Sequence, residues 1–297
     1  MDSCQKVPSY KMGIPQDLAL PFHAYGIFKS GEISFHCIKE CIQTVKDDVA
    51  LPFRLYIRDG IPLVDANDRS DTTVGCLIQF NSGSEKEAYE RIASLEPEKY
   101  YFWSMTEVDG QKVNFLAGKS PQKGSVLAES NDWDSWGDPL FTEVFDIVAR
   151  ASEVNTVDIT GRAFIELQML YLLIWTSVER FASLRYGFRG DSVIAKLHKL
   201  ANSLEFSNAL NDAFCGVTNK KIRKVYSSDS VEKVYKWNPE KPVETIDFYY
   251  QVRCNIAHRG KAAISDANLV KDCIKEMTDI FKHLLKYSKL TATAATP

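Results

Sequence analysis

The chain has 297 residues, of which 45% are hydrophobic and 25% charged, and a formal net charge of −3. This is the balance of a globular protein, and the length favours two domains. A net charge so close to zero excludes a whole-chain attraction to nucleic acid or to a membrane, so an anionic partner requires a local basic patch.

The seven cysteines are scattered, and no second Cys pair or His pair at metal-finger spacing accompanies Cys37 and Cys41. We therefore expect reduced thiols in a cytoplasmic protein, with no metal and no cofactor. Residues 1–20 lack a charged start followed by an apolar run, so no secretory signal is expected. The longest apolar stretch, Phe164–Phe181, contains charged residues, which favours a buried helix over a membrane span, and no membrane partner is expected.

The first half of the chain carries strand patterns. Apolar or β-branched runs bounded by turn residues predict strands at Phe22–Phe28, Leu51–Ile57, Ile61–Val64, Thr73–Phe80, Tyr100–Val108 and Val113–Ala117. Asp109-Gly110 predicts a hairpin between the last two. Helical spacing over Glu85–Leu95 predicts one helix, and Gly118–Pro139 is expected to be a loop.

The second half shows helical spacing and no convincing strand pattern. Helices are predicted at Phe141–Ala151, Thr160–Tyr186, Asp191–Cys215, Val243–His258 and Asp266–Lys289. The sequence thus predicts an α+β protein, with a mixed-sheet domain over residues 1–150 and an all-helical domain over residues 151–297. The linker is expected near Ala151–Thr160.

The strongest candidate for chemistry is the segment from Arg253 to His258 near the end of a predicted helix. An ideal helix separates residues five positions apart by about 140°. The two side chains can therefore meet at one phosphate if the last turn is distorted, if the His258 ring folds back at the helix end, or if two chains pair their motifs.

The residue types in this segment suit cleavage of RNA without a metal. An imidazole, whose ordinary pKa lies near neutrality, can take the 2′-hydroxyl proton or protonate the leaving oxygen. The Arg253 guanidinium can offset charge that builds on the phosphate. Asn255 could orient either group, and Arg259 adds a second cation for RNA.

An arginine and a histidine separated by four residues, late in a helical bundle and after an aromatic-rich helix, resemble the HEPN superfamily. The resemblance covers about residues 156–289 and includes Glu179, a polar residue within an apolar helix. It implies that Arg253 and His258 are the catalytic pair, that the site is composite at a homodimer interface, and that cleavage leaves a cyclic phosphate. Many members are ribonucleases of toxins and defence systems. The family usually has asparagine directly after the arginine, where this chain has Cys254.

A basic cluster with interleaved aromatic residues precedes the motif. It comprises Lys220, Lys221, Arg223 and Lys224, followed by Tyr226, Lys233, Tyr235, Lys236 and Trp237. Such a combination is typical of surfaces that follow a single-stranded RNA backbone and stack its bases. The alternative is a solvated loop face.

Two features of the first half also favour chemistry. The segment Tyr25-Gly26-Ile27-Phe28 predicts a turn after a strand, whose backbone N–H groups could bind an anion. Glu96 or Glu98 follows the predicted helix and could transfer a proton if partly buried.

The order of these parts resembles the gamma-glutamylcyclotransferase-like fold. The resemblance covers about residues 21–149 and includes the Tyr25–Phe28 loop, Leu55-Tyr56 before Gly60 and Pro62, and the Trp136–Pro139 segment. It implies that Glu96 is the acid–base of a reaction that cyclises gamma-glutamyl amines. It also implies that residues 25–28 hold the glutamyl group, as a binding site for a small gamma-glutamyl ligand.

Three functions follow as hypotheses. The first is an RNA endonuclease, dimeric through its helical domain, with a cyclotransferase-like domain for sensing or targeting. The second is a cyclotransferase of gamma-glutamyl amines with a helical dimerisation domain. The third is a non-catalytic interaction protein that uses both halves as binding surfaces.

Overall fold

The computed structural model describes residues 12–157, 159–188, 191–215, 223–227, 232–259 and 264–293, without the side chains of residues 258, 259 and 264. The chain divides into two compact units. The first comprises Met1–Trp136, Leu184–Ser192 and Thr291–Pro297, and the second comprises Gly137–Ser183 and Val193–Leu290.

In the first unit, the described residues up to Trp136 form eight strands and one α-helix. Its elements are β1 (Phe22–Ala24), β2 (Ile42–Leu51), β3 (Arg54–Arg58), β4 (Ile61–Asp65), β5 (Thr73–Phe80), α1 (Glu85–Leu95), β6 (Tyr101–Val108), β7 (Gln111–Gly118) and β8 (Val126–Leu127). Five strands form a sheet in the order β2-β5-β1-β7-β6, and three form a second sheet in the order β4-β3-β8. The five-stranded sheet is mixed, because β1 pairs antiparallel with β5 and parallel with β7.

The second half of the chain is largely helical. Its elements are α2 (Pro139–Thr142), α3 (Val144–Ala149), α4 (Gly161–Tyr186), α5 (Val193–Ala201), α6 (Leu204–Ala213), β9 (Lys224–Tyr226), β10 (Val234–Lys236), α7 (Pro242–Arg259) and α8 (Ala267–Thr293). A mixed sheet followed by a largely helical part confirms the α+β prediction at that level. No helix among the described residues combines the length and apolar character that crossing a membrane requires.

The prediction of an entirely helical second half is wrong, because β9 and β10 pair as an antiparallel hairpin. Each strand has only three residues and lies in a basic stretch, so no alternating pattern long enough to indicate a strand exists. The predicted helix Asp191–Cys215 is also interrupted. Ser203 separates α5 from α6, and its hydroxyl accepts a hydrogen bond from the Phe206 amide at 3.2 Å, which caps α6.

Several predictions in the first half need correction. The predicted strand Phe22–Phe28 ends at Ala24, and the predicted loop Gly118–Pro139 contains β8. The predicted strand Leu51–Ile57 is divided, since Leu51 ends β2 and Arg54 begins β3. The ten-residue strand β2 was not predicted, because most of its side chains are exposed and polar, and two register shifts break its alternation. Such charged and irregular strands are typical of sheet edges, which is where β2 lies.

Gly75 lies where β5 passes close to β1. A Cβ at this position would overlap the Ala24 carbonyl oxygen and would lie 2.6 Å from Cε1 of His23. Because the backbone cannot yield as a flexible side chain does, we expect Gly75→Ala to lower the free energy of unfolding by about 3 kcal/mol. Gly13→Ala is the matched control, since no atom lies within 4 Å of its new Cβ. Urea denaturation measures both, and equal stabilities would contradict this close approach.

Candidate functional site

Arg253 lies on α7 against α4. Its Nε lies 3.3 Å from Oε1 of Glu179, and its side chain is 24% exposed. Glu179 Oε1 is buried and accepts no hydrogen bond from the described residues, so the contact is an ion pair without a hydrogen bond to that oxygen. The guanidinium also lies 5.7 Å from the centre of the Tyr250 ring. A carboxylate and an aromatic ring therefore orient this cation while part of it remains open to solvent.

The residue after the arginine is a neutral thiol. Burial raises the pKa of Cys254, and its thiol interacts with the side chains of Tyr250 and Arg253. At physiological pH this position therefore adds no charge to the motif.

Asn255 joins the motif helix to the hairpin. Its Nδ2 donates to the Tyr226 carbonyl at 3.1 Å, and its Oδ1 accepts from Gln251 Nε2 at 2.8 Å. Both ends of the amide are therefore engaged within the second unit. This contact positions β9 against α7, a role that the sequence pattern did not indicate.

His258 lies in the last turn of α7, which continues without a break to Arg259. The side chains of His258 and Arg259 lie outside the described residues. A continuous helix places position 258 about 140° around and about 7.5 Å along the axis from Arg253. The last turn of α7 is therefore helical. This excludes a distorted last turn as the route by which Arg253 and position 258 converge.

The basic cluster is divided by the fold. Lys220 and Lys221 lie outside the described residues. Arg223 is neutralised, because its Nη2 donates to Oε2 of Glu276 at 2.5 Å and its guanidinium lies 4.5 Å from the centre of the Trp237 ring. Lys224, by contrast, is exposed on β9.

A cavity in the first unit brings together the segment Tyr25–Phe28 and Glu96, with Pro62, Tyr101 and Leu116 completing much of its lining. Glu96 follows α1 and is half-buried, and burial raises its pKa to about 8. Burial also raises the pKa of Tyr25, with a further contribution from the charge of Glu96. The Tyr25 hydroxyl donates to the Leu116 carbonyl. The cavity therefore contains one carboxyl group that is largely protonated at neutral pH.

The loop that closes this cavity is tightly packed. Ile27 and Phe28 are 3% and 2% exposed. A Cβ on Gly26 would lie 3.0 Å from Cγ of Pro62, so a larger residue would crowd the loop. The space open to the centre of a water molecule is about 10 Å³, which is room for roughly one water. The amides of residues 26–28 donate no backbone hydrogen bond to other described residues.

No group of three or more His, Cys, Asp or Glu side chains suited to a metal ion occurs within the described ranges. Comparison with known proteins found no matching family model, no matching curated protein and no matching solved structure.

The raised pKa of Glu96 generates a prediction about stability. In the unfolded chain this carboxyl has its ordinary pKa of 4.5, and in the folded chain the value is about 8. Between these values the folded state binds more protons than the unfolded state, so the carboxyl lowers stability as pH rises from about 4.5 to about 8. We expect Glu96→Gln to lack this contribution. The melting temperature of the variant minus that of the wild type should therefore increase across this range.

Thermal denaturation of both proteins from about pH 5 to about pH 9 measures this difference. Glu32, whose pKa burial raises to about 7, titrates in the same range but is present in both proteins, so its contribution cancels. A difference that stays constant with pH would show that Glu96 titrates at its ordinary value.

Proposed function

We propose that the protein is a metal-independent RNA endonuclease of the HEPN type, with Arg253 and His258 as its catalytic residues. The observation that supports this best is the state of Arg253. Glu179 and Tyr250 orient its guanidinium, yet 24% of the side chain remains exposed for a phosphate. The same helix carries His258 five residues later and contacts, through Asn255, a hairpin with exposed lysines.

In the proposed reaction an imidazole accepts the proton of the 2′-hydroxyl, and the 2′-oxygen attacks the adjacent phosphorus. The bond from phosphorus to the 5′-oxygen breaks, and the departing oxygen receives a proton from an imidazolium. The products are a 2′,3′-cyclic phosphate and a 5′-hydroxyl. The Arg253 guanidinium lies against the non-bridging oxygens and stabilises the charge that develops there.

We further propose that the site is composite and forms between two copies of the chain. Arg253 and position 258 lie about 140° apart on an unbroken helix, so they face different directions. Arg253 of one copy and His258 of the other can meet at a shared phosphate if the two α7 helices approach each other. The imidazole that accepts the 2′-hydroxyl proton becomes the imidazolium that protonates the departing oxygen, so one His258 is sufficient for each site.

Cleavage of single-stranded RNA in excess EDTA tests this proposal. We expect the wild type to leave cyclic phosphate ends, and His258→Ala and Arg253→Ala to cut at least about 100-fold more slowly, because each removes a group that acts in the transition state. His283→Ala and Arg162→Ala are matched controls that remove the same side-chain types from α8 and α4. Equal cleavage by the wild type and His258→Ala would refute the proposal.

A mixture of the two inactive variants tests the composite site. In a mixed dimer of Arg253→Ala and His258→Ala chains, one site regains both groups, so part of the activity should return. If the mixture stays as inactive as its components, each chain uses its own pair.

The cavity around Glu96 favours a second candidate function. We propose that the first unit has the gamma-glutamylcyclotransferase-like fold and binds a small gamma-glutamyl compound, either as a substrate or as a signal for the nuclease. In cyclisation the α-amino nitrogen would attack the γ-carbonyl carbon, and the bond to the leaving amine would break. Glu96, with its pKa of about 8, would accept a proton from the attacking amine and pass one to the leaving nitrogen.

Release of 5-oxoproline from a panel of gamma-glutamyl amines measures this activity. We expect Glu96→Gln to reduce the rate by about 100-fold or more, because an amide cannot transfer the proton. Glu98→Gln is the matched control, since Glu98 lies two residues away and does not line the cavity. An absence of 5-oxoproline from every compound would leave only a binding role for this unit.

A further inference from the structure

The hairpin β9–β10 has two chemically different faces. Lys236 lies opposite Lys224, and Tyr235 lies opposite Val225. Directly opposed side chains share a face and successive ones alternate, so Lys224, Lys236 and Tyr226 project from the same side. All three are exposed, Tyr226 to 56%, whereas Val225 and Tyr235 on the other face are half-buried.

The pairing of two lysines across the hairpin is unfavourable by itself. Opposed residues have Cβ atoms about 5 Å apart, and like charges at that separation repel. Among the residues that the structure describes, neither Lys224 nor Lys236 forms an ion pair. Arg223, one residue before β9, is instead neutralised by Glu276. The two ammonium groups can reach one phosphate together, and such an anion would offset their repulsion.

Tyr226 adds an aromatic surface beside these charges. It lies two positions from Lys224 on the same strand, so its ring and the lysine ammonium project side by side. An exposed ring next to cations is the combination that holds single-stranded nucleic acid, because bases stack on the ring while phosphates contact the cations.

The hairpin lies on a defined side of the motif helix. Asn255, whose side chain donates to the Tyr226 carbonyl, marks the side of α7 that faces β9. Position 258 lies about 60° from position 255 around the helix axis, whereas Arg253 lies about 160° away. The hairpin therefore flanks the side of the helix that carries position 258.

From these observations we propose that the outer face of the hairpin is the docking surface for the RNA strand that is cut. Lys224 and Lys236 bind its phosphate, and Tyr226 stacks one base. The proposal rests on the proposed nuclease function for the identity of its substrate. The strand enters the cleavage site along the side of α7 that carries position 258, while Arg253 of the second copy completes the site.

The test uses the full-length His258→Ala chain, which should bind RNA without cutting it. The probe is a fluorescent oligouridylate of about 12 nucleotides, a length that such surfaces cover. We expect Lys224→Gln with Lys236→Gln to weaken binding about tenfold or more at low salt. The slope of log affinity against log salt should also fall by about 0.7, because the two lysines share one phosphate and each phosphate contact on a single strand contributes about 0.7. Lys275→Gln with Lys286→Gln is the matched control and should change neither quantity.

Tyr226 is tested separately, because stacking does not depend on salt as phosphate contacts do. Tyr226→Ala should weaken binding about tenfold with an unchanged salt slope, and Tyr226→Phe should bind as the parent does. If these variants melt at the same temperature as the His258→Ala chain, unfolding is excluded as the cause of the weaker binding.

The outcomes separate the docking surface from the nuclease function. If the wild type cuts RNA but the hairpin variants bind RNA as the His258→Ala chain does, the docking surface is wrong and the nuclease proposal stands. If the wild type never cuts but these variants lose RNA binding, the nuclease proposal fails and the surface stands. Loss of binding to phosphatidylserine vesicles, with RNA binding unchanged, would overturn the docking surface in favour of a membrane contact.

Discussion

The arrangement of the second unit depends on one half-buried carboxylate, that of Glu276 on α8. Its Oε2 accepts hydrogen bonds from the Tyr249 hydroxyl at 2.7 Å and from Arg223 at 2.5 Å, and Trp237 donates to the Tyr249 hydroxyl at 2.9 Å. A buried charge is tolerated only when it is paired and hydrogen-bonded, and here both conditions are met. Arg223 and Trp237 flank the hairpin, so this network holds β9 and β10 against α7 and α8. One end of the hairpin thus donates to Glu276 directly through Arg223, and the other end is joined to Glu276 through the Tyr249 hydroxyl.

The chain uses half-buried carboxyl groups in two different ways. Glu276 has a guanidinium and a phenol as partners, and its role is structural. Glu96 has its pKa raised to about 8 by burial alone, and no charged partner restores the ionised form. A group held near neutrality in this way can both accept and donate a proton, whereas a paired one cannot. Glu96 is the one acidic residue in the described lining of the cavity, and its raised pKa is what the proposed proton transfer requires.

The sequence predicts those features that depend on local pattern. Helix α1 and strand β5 begin and end at the predicted residues, because their apolar spacing is regular. The β9–β10 hairpin and the polar edge strand β2 have no such pattern. Both are stabilised by pairing with other segments, and that pairing leaves no local signal in the sequence. The same limit applies to the site. Arg223 belongs to a basic run that indicates an RNA surface, yet its partner Glu276 is 53 residues away in the sequence, so spacing could not show that its charge is neutralised.

The two candidate sites differ in what a ligand must displace. The cavity beside Glu96 has room for roughly one water, and Phe28 is 2% exposed in its wall. A gamma-glutamyl ligand would have to move such a side chain into solvent at a cost of about 2 kcal/mol, which weakens its binding roughly thirtyfold. A phosphate that approaches Arg253 meets a side chain that Glu179 and Tyr250 already orient and that is 24% exposed. The second unit therefore needs less rearrangement to bind its proposed substrate, and this favours the nuclease proposal over the cyclotransferase proposal.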